Sequence, residues 1–90
     1  MKFKKGDICC YTTYLATYIF IFKKTGECYI HCYIGHTSYD NTLFDNPVTS
    51  IMNIKTIRLA TEQEKKILFK ALEKQGKYWD EKELKLISEI

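Results

Sequence analysis

The chain is short of the features that make a catalytic or cofactor site legible. It has two histidines, His31 and His36, and three serines, Ser38, Ser50 and Ser88, none of them in a nucleophile-elbow context. Its four glycines are scattered singly, so no glycine-rich loop is available to cradle phosphate. Most acidic residues fall at a helix start or in the C-terminal segment, where solvation and the helix dipole account for them. One proline, no low-complexity run and no internal repeat leave no place for a linker, so residues 1–90 are expected to form a single domain. The longest apolar stretch, Tyr14 to Phe22, contains Thr17 and falls far short of the roughly 20 residues that span a bilayer. The N-terminus lacks the apolar core of a signal peptide, and a cytoplasmic protein with reduced thiols is expected.

Length and charge set further limits. A chain of 90 residues buries only about 60–65% of the surface its unfolded form exposes, enough for one modest core and too little for a large internal cavity. The formal charge of +3 is unevenly placed: residues 1–60 hold seven Lys and Arg against four Asp and Glu, whereas residues 61–90 hold seven of each. The excess sits at Lys2, Lys4, Lys5, Lys23 and Lys24, where it either protects strand ends or faces phosphate.

The cysteines are Cys9, Cys10, Cys28 and Cys32. In a strand, Cys28 and Cys32 share a face about 13 Å apart at about 3.3 Å per residue, too far for one metal or one disulfide. Alternation turns His31 to the opposite face, so Cys28-x-x-His31 is not expected to hold zinc, and Cys32 beside His31 is not expected to form a nucleophile–base pair. Buried structural thiols are expected, with no metal, no cofactor, no catalytic residue and no enzymatic activity.

What is present reads as β, then α. Gly6-Asp7 is a turn ahead of a strand over Ile8 to Thr12. Tyr18 to Phe22 is a second strand, apolar on both faces and so central or covered on each side. Lys23 to Glu27 supplies turn chemistry for a hairpin into a third strand, Cys28 to Ile34, with Cys28, Ile30, Cys32 and Ile34 on one face, Tyr29, His31 and Tyr33 on the other, and Gly35 as its end. Residues 36–50 read as a loop or an irregular edge strand around Leu43-Phe44, and Lys55 to Leu59 as a closing strand. Thr61 and Glu64 form a T-x-x-E capping box, Ile67, Leu68, Ala71 and Leu72 an apolar stripe, and Gly76 a C′ stop, so a helix is expected over residues 61–75. Tyr78 to Asp80 and Leu84 to Ile87 suit a short hairpin, with a second helix from Asp80 to Ile90 as the alternative. The fold class is α+β: a small antiparallel β-sheet or SH3-like barrel of four or five strands over residues 1–60, packed by one C-terminal helix, with residues 76–90 as a short hairpin or tail.

Arg58-Leu59-Ala60-Thr61-Glu62-Gln63-Glu64-Lys65, followed by Leu68-Phe69, Ala71-Leu72, Gly76, Tyr78-Trp79-Asp80 and Lys82-Glu83-Leu84, resembles the C-terminal signature of small uncharacterised proteins found in Bacteroidales and their phages. Gly6-Asp7-Ile8, Ile19 to Lys23 and Cys32-Tyr33-Ile34-Gly35 are similar to the upstream part of that group. The chain departs from the pattern at Leu59, where proline is usual, and at Lys77, which separates Gly76 from Tyr78. The resemblance implies a phage or prophage setting, hence a bacterial host cytoplasm, and no particular reaction.

The remaining candidate is an aromatic and basic surface. Seven tyrosines and a tryptophan are many for this length, and Tyr29, His31 and Tyr33 would stand about 6.6–6.8 Å apart along one strand face. With Lys23, Lys24 and Trp79 they form the expected ligand-binding set, unless the helix or Trp79 covers the face and makes the tyrosines core. Two functional classes follow. One is a non-enzymatic binder of a nucleotide-like signalling ligand or, weakly, of single-stranded nucleic acid, in a phage a counter-defence protein and a candidate homo-oligomer. The other is a protein-interaction module docking a host or phage protein through an exposed strand edge or the tyrosine face. Neither involves a membrane.

Overall fold

The structure is a computed structural model and is described here for residues 3–88. The chain runs β1 (Ile8–Thr12), β2 (Thr17–Thr25), β3 (Tyr29–Thr37), β4 (Thr42–Phe44), β5 (Thr49–Ser50), a 3-10 helix (Ile51–Thr56), β6 (Arg58–Leu59), α1 (Glu62–Lys74), β7 (Lys77–Asp80) and β8 (Lys85–Ser88). It is an α+β fold. Six antiparallel strands form one sheet in the order β4-β3-β2-β1-β6, with β5 pairing the other end of β3, and β7 and β8 form a separate hairpin. β4 and β6, at the two ends of the path, are not paired with each other among the described residues.

The central position of β2 follows from its composition. Ile19 and Ile21 join Ile8, Cys10 and Ile34 in a cluster covered by Leu68 and Leu72 of α1 and by Trp79 of β7. Phe20 and Phe22 point the other way, into a second cluster with Cys9, Ile30, Cys32 and Ile57, closed by Phe3, Phe44, Val48, Ile51 and Ile54. A strand that feeds a core on each side cannot alternate between apolar and polar, and this one does not. Leu68 and Leu72 are fully buried, each worth roughly 1.5–3 kcal/mol of apolar transfer.

The third strand departs from the simple alternation. Between the pairs Phe20↔Gly35 and Phe22↔Cys32, β3 carries one extra residue, and between Phe22↔Cys32 and Lys24↔His31, β2 carries one. These bulges place the neighbours Tyr33 and Ile34 in the same helix-side cluster, so Ile34 does not share a face with Ile30 and Cys32. Cys28 precedes the strand and is exposed. Gly35 does not end β3: the strand runs on to Thr37, with Gly35 paired to Phe20 on one side and Phe44 on the other. A Cβ at Gly35 would lie 2.5 Å from Phe44 Cζ and 2.9 Å from Phe20 Cβ, so glycine is there for close approach, not as a stop.

Two other segments complete the sheet. Within residues 36–50, β4 is the edge strand expected around Leu43-Phe44, and β5, which was not expected, brings the sheet to six strands. The closing strand shortens to Arg58–Leu59, because Ile51–Thr56 coils into a 3-10 helix whose first turn is capped by Ser50, its hydroxyl accepting the Met52 N–H. That turn lays Ile51 and Ile54 on the second cluster, a placement an extended chain could not give both side chains.

The helix forms as its signals dictate. Thr61 Oγ1 accepts the Glu64 N–H at 3.2 Å, and Glu64 Oε1 accepts the Thr61 N–H at 2.8 Å, a complete capping box. Gly76 follows the helix with φ 69°, the left-handed stop that glycine takes without steric cost. The segment after it is the hairpin and not a second helix: β7 and β8 pair from Lys77↔Ser88 to Asp80↔Lys85, and the Asp80 carboxylate accepts the N–H groups of Lys82 and Glu83 in the turn. Leu84 has φ 51°, an uncommon value for leucine, and its side chain packs on the first cluster. The helix and the sheet are joined at one more point, where Arg58 of β6 holds Glu64 with two 2.8 Å hydrogen bonds and the Cys10 thiol of β1 reaches the same carboxylate at 3.5 Å.

Candidate functional site

Backbone pairing continues past β1 to the end of β2. The Gly6 N–H donates to the Phe22 carbonyl at 3.0 Å and the Phe22 N–H to the Asp7 carbonyl at 2.8 Å, while the Phe3 ring meets the Phe22 ring at 5.9 Å. Gly6 and Asp7 therefore continue the β1–β2 pairing, and Lys4 and Lys5 sit in the turn that the Asp7 N–H closes on the Lys4 carbonyl at 3.0 Å. Among the described residues none of Lys4, Lys5, Lys23 and Lys24 is ion-paired with a carboxylate. Lys2 lies outside the described residues.

The six expected ligand-binding residues are divided between core and surface. Tyr33 packs against Trp79 with ring centroids 4.9 Å apart, and Lys23 Nζ stands 5.4 Å over the outer face of the Tyr33 system. Trp79 is 9% exposed and belongs to the first cluster, with its buried indole N–H making no hydrogen bond among the described residues. The Tyr33 end of the strand face is thus covered by β7, while its other end is open. Tyr29 is 50% exposed, and His31 is half-buried opposite Lys24 in the strand register. The imidazole of His31 leans over the β2–β3 turn, where a Cβ on Gly26 would come within 2.9 Å of Nε2. Beside the covered end, an open groove of about 560 Å³ runs along Phe69, Trp79 and Lys82.

Lys23 and Lys24 stand near the β2–β3 turn, which also carries Glu27. The thiols offer little reactivity. Burial pushes Cys9 and Cys32 up to about 12, with Asp7 and Asp45 respectively adding to the shift, and burial also raises Cys10, so all three stay protonated at neutral pH. Cys32 lies in the second cluster, away from the face that carries His31. Among the described residues no three His, Cys, Asp or Glu side chains gather in a metal-binding group.

One surface feature has no counterpart in the sequence reading. The β1–β2 and β3–β4 turns are tied side by side, the Thr17 N–H donating to Ser38 Oγ at 2.8 Å and the Ser38 N–H to the Thr17 carbonyl at 3.0 Å. They present Tyr14 at 96% exposure together with Leu15 and Tyr39, also largely exposed. Tyr14 and Leu15 read as the start of the apolar run into β2. The signal for a turn was Thr13, whose hydroxyl accepts the N–H groups of Leu15 and Ala16 at 3.1 Å each. No helix among the described residues is long and apolar enough to cross a membrane. No family model, curated protein or solved structure matches the chain.

Proposed function

We propose that the protein is a non-enzymatic binding domain that holds a nucleotide-like anion at the open end of the sheet. The observation that carries this reading is the half-exposed Tyr29 ring on the strand that also carries half-buried His31, which is paired with Lys24 in the strand register. In it Lys23 and Lys24 attract phosphate, Tyr29 offers its ring to a base, His31 supplies hydrogen bonds, and the Tyr33–Trp79 pair is the rigid support. A homo-oligomer would enclose what is an open strip in one chain. The 3-10 helix that leads a last strand back to β1 supports treating the sheet as a small SH3-like barrel. In the phage setting that the sequence resemblance implies, such a protein would act in the host cytoplasm by sequestering a signalling nucleotide.

A second reading, a protein-interaction module, is favoured by the exposed Tyr14, Leu15 and Tyr39 on the two tied turns. Thermal shift separates the two. A panel of cyclic and linear nucleotides beside a single-stranded oligonucleotide is expected to include a stabilising ligand, worth about 1.4 kcal/mol at about ten times its Kd. Tyr29→Ala and the Lys23→Gln/Lys24→Gln pair are expected to abolish that gain while leaving the unliganded midpoint in place. Stabilisation by the oligonucleotide alone, falling steeply with salt, would move the assignment to nucleic acid. No stabilisation by any of them at about 1 mM would remove the nucleotide reading.

A further inference from the structure

Away from the aromatic strip, the C-terminal half of α1 and the β3–β4 hairpin leave a cleft of about 420 Å³, within the range of small-molecule sites. Its polar lining is cationic and amide: Lys70 and Lys74, one helical turn apart on α1, face His36 of β3 and Asn41 of the hairpin turn. Its apolar lining is Leu43, Ile67 and Ala71. An adjoining recess of about 340 Å³ shares Leu43 and Gln75 and adds Lys77.

His36 is 8% exposed and lines the cleft. Trp79 Nε1 is the one buried side-chain nitrogen left without a partner among the described residues, so the His36 ring nitrogens keep access to solvent where the residue borders the cleft. The nearest opposing charge, Asp40, is engaged by the Thr42 hydroxyl at 2.6 Å. Among the described residues neither Lys70 nor Lys74 is ion-paired with a carboxylate. Asn41 takes φ 58°, a left-handed turn conformation that asparagine tolerates and that holds it at the rim of the cleft.

We infer that this cleft is a binding site for a small molecule carrying a phosphate group and an apolar body. Lys70 and Lys74 neutralise the phosphate, His36 and Asn41 hydrogen-bond its oxygens, and the apolar part lies over Leu43, Ile67 and Ala71. Two ammonium charges one turn apart are matched by the roughly two negative charges of a phosphate monoester and only half matched by a single carboxylate. The site is separate from the Tyr29 strip, at the opposite end of β3, and does not depend on it.

The test is a two-dimensional NMR titration of the full chain with inorganic phosphate and with phenyl phosphate, at ionic strength held constant with chloride. Both are expected to shift the His36 ring protons and the Asn41 side-chain amide, phenyl phosphate at a lower concentration and with added shifts at Leu43 and Ile67. Lys70→Gln/Lys74→Gln alters two exposed helix positions, so the fold is retained, and it is expected to weaken phenyl phosphate binding about tenfold or more. Tyr29→Ala is expected to leave this titration unchanged, which separates the cleft from the aromatic strip. The inference is overturned if neither probe perturbs His36 by about 10 mM, or if the double variant binds as the parent does.

Discussion

Glu64 offers the sharpest quantitative prediction, because one carboxylate serves three elements. It accepts the Thr61 N–H at the start of α1, two hydrogen bonds from Arg58 of β6, and the Cys10 thiol of β1. The Arg58 guanidinium, and after it the Thr61 N–H, draw the Glu64 carboxyl down to about 2. Glu64→Gln keeps an acceptor for the cap but removes the charge. The lost helix-dipole contribution is about 0.3–1 kcal/mol. The lost ion pair adds about 0.2–1 kcal/mol, at the low end because the Arg58 side chain is 52% exposed and its partner is screened. The expected cost is about 0.5–1.3 kcal/mol at pH 7, with about 4–8 °C of Tm for each kcal/mol in a domain of this size.

The pH dependence gives the sign. A carboxyl whose folded value lies below its unfolded one stabilises fully above the unfolded value near 4.5, and the contribution is lost as pH falls toward about 2. Urea unfolding followed by circular dichroism at pH 7 and at about pH 2.5 should therefore show the gap between the parent and Glu64→Gln narrowed at the second pH, where most but not all of the contribution is lost. A difference below about 0.3 kcal/mol at pH 7, or one that persists undiminished in acid, would refute the assignment of a charged latch to Glu64.

Two further outcomes follow from packing. Gly35→Ala is expected to cost about 1–3 kcal/mol in urea unfolding, because Phe20 Cβ cannot swing aside as the Phe44 ring can; a stabilised variant would show that the strand gives way there. In thiol labelling at pH 8, Cys28 should react at once, while Cys9, Cys10 and Cys32 react only as the chain opens, since burial holds them as thiols; fast modification of more than one thiol in the native protein would contradict this core.

The sequence by itself determined the elements whose signals are local. The T-x-x-E box, the apolar stripe and Gly76 fixed α1, because capping and amphipathicity act within a few residues along the chain. The two-sided apolar run fixed β2 as the central strand, because such a run has no solvated face to offer. Gly35 shows where local reading stops: a glycine at a strand end and a glycine under two phenylalanine rings look alike until the rings are placed. The bulges in β2 and β3, which send both Tyr33 and Ile34 to the helix side, are set by pairing across strands and have no mark in one strand alone.

The candidate sites divide the same way. Tyr29, His31 and Tyr33 were readable as one strand face, since alternation requires only the chain itself. That Trp79 of a later hairpin covers Tyr33 and that His36 lines a cleft with Lys70 and Lys74 were decided by tertiary structure. Each unites residues far apart in sequence, and such contacts depend on how two faces pack, not on the pattern within either one.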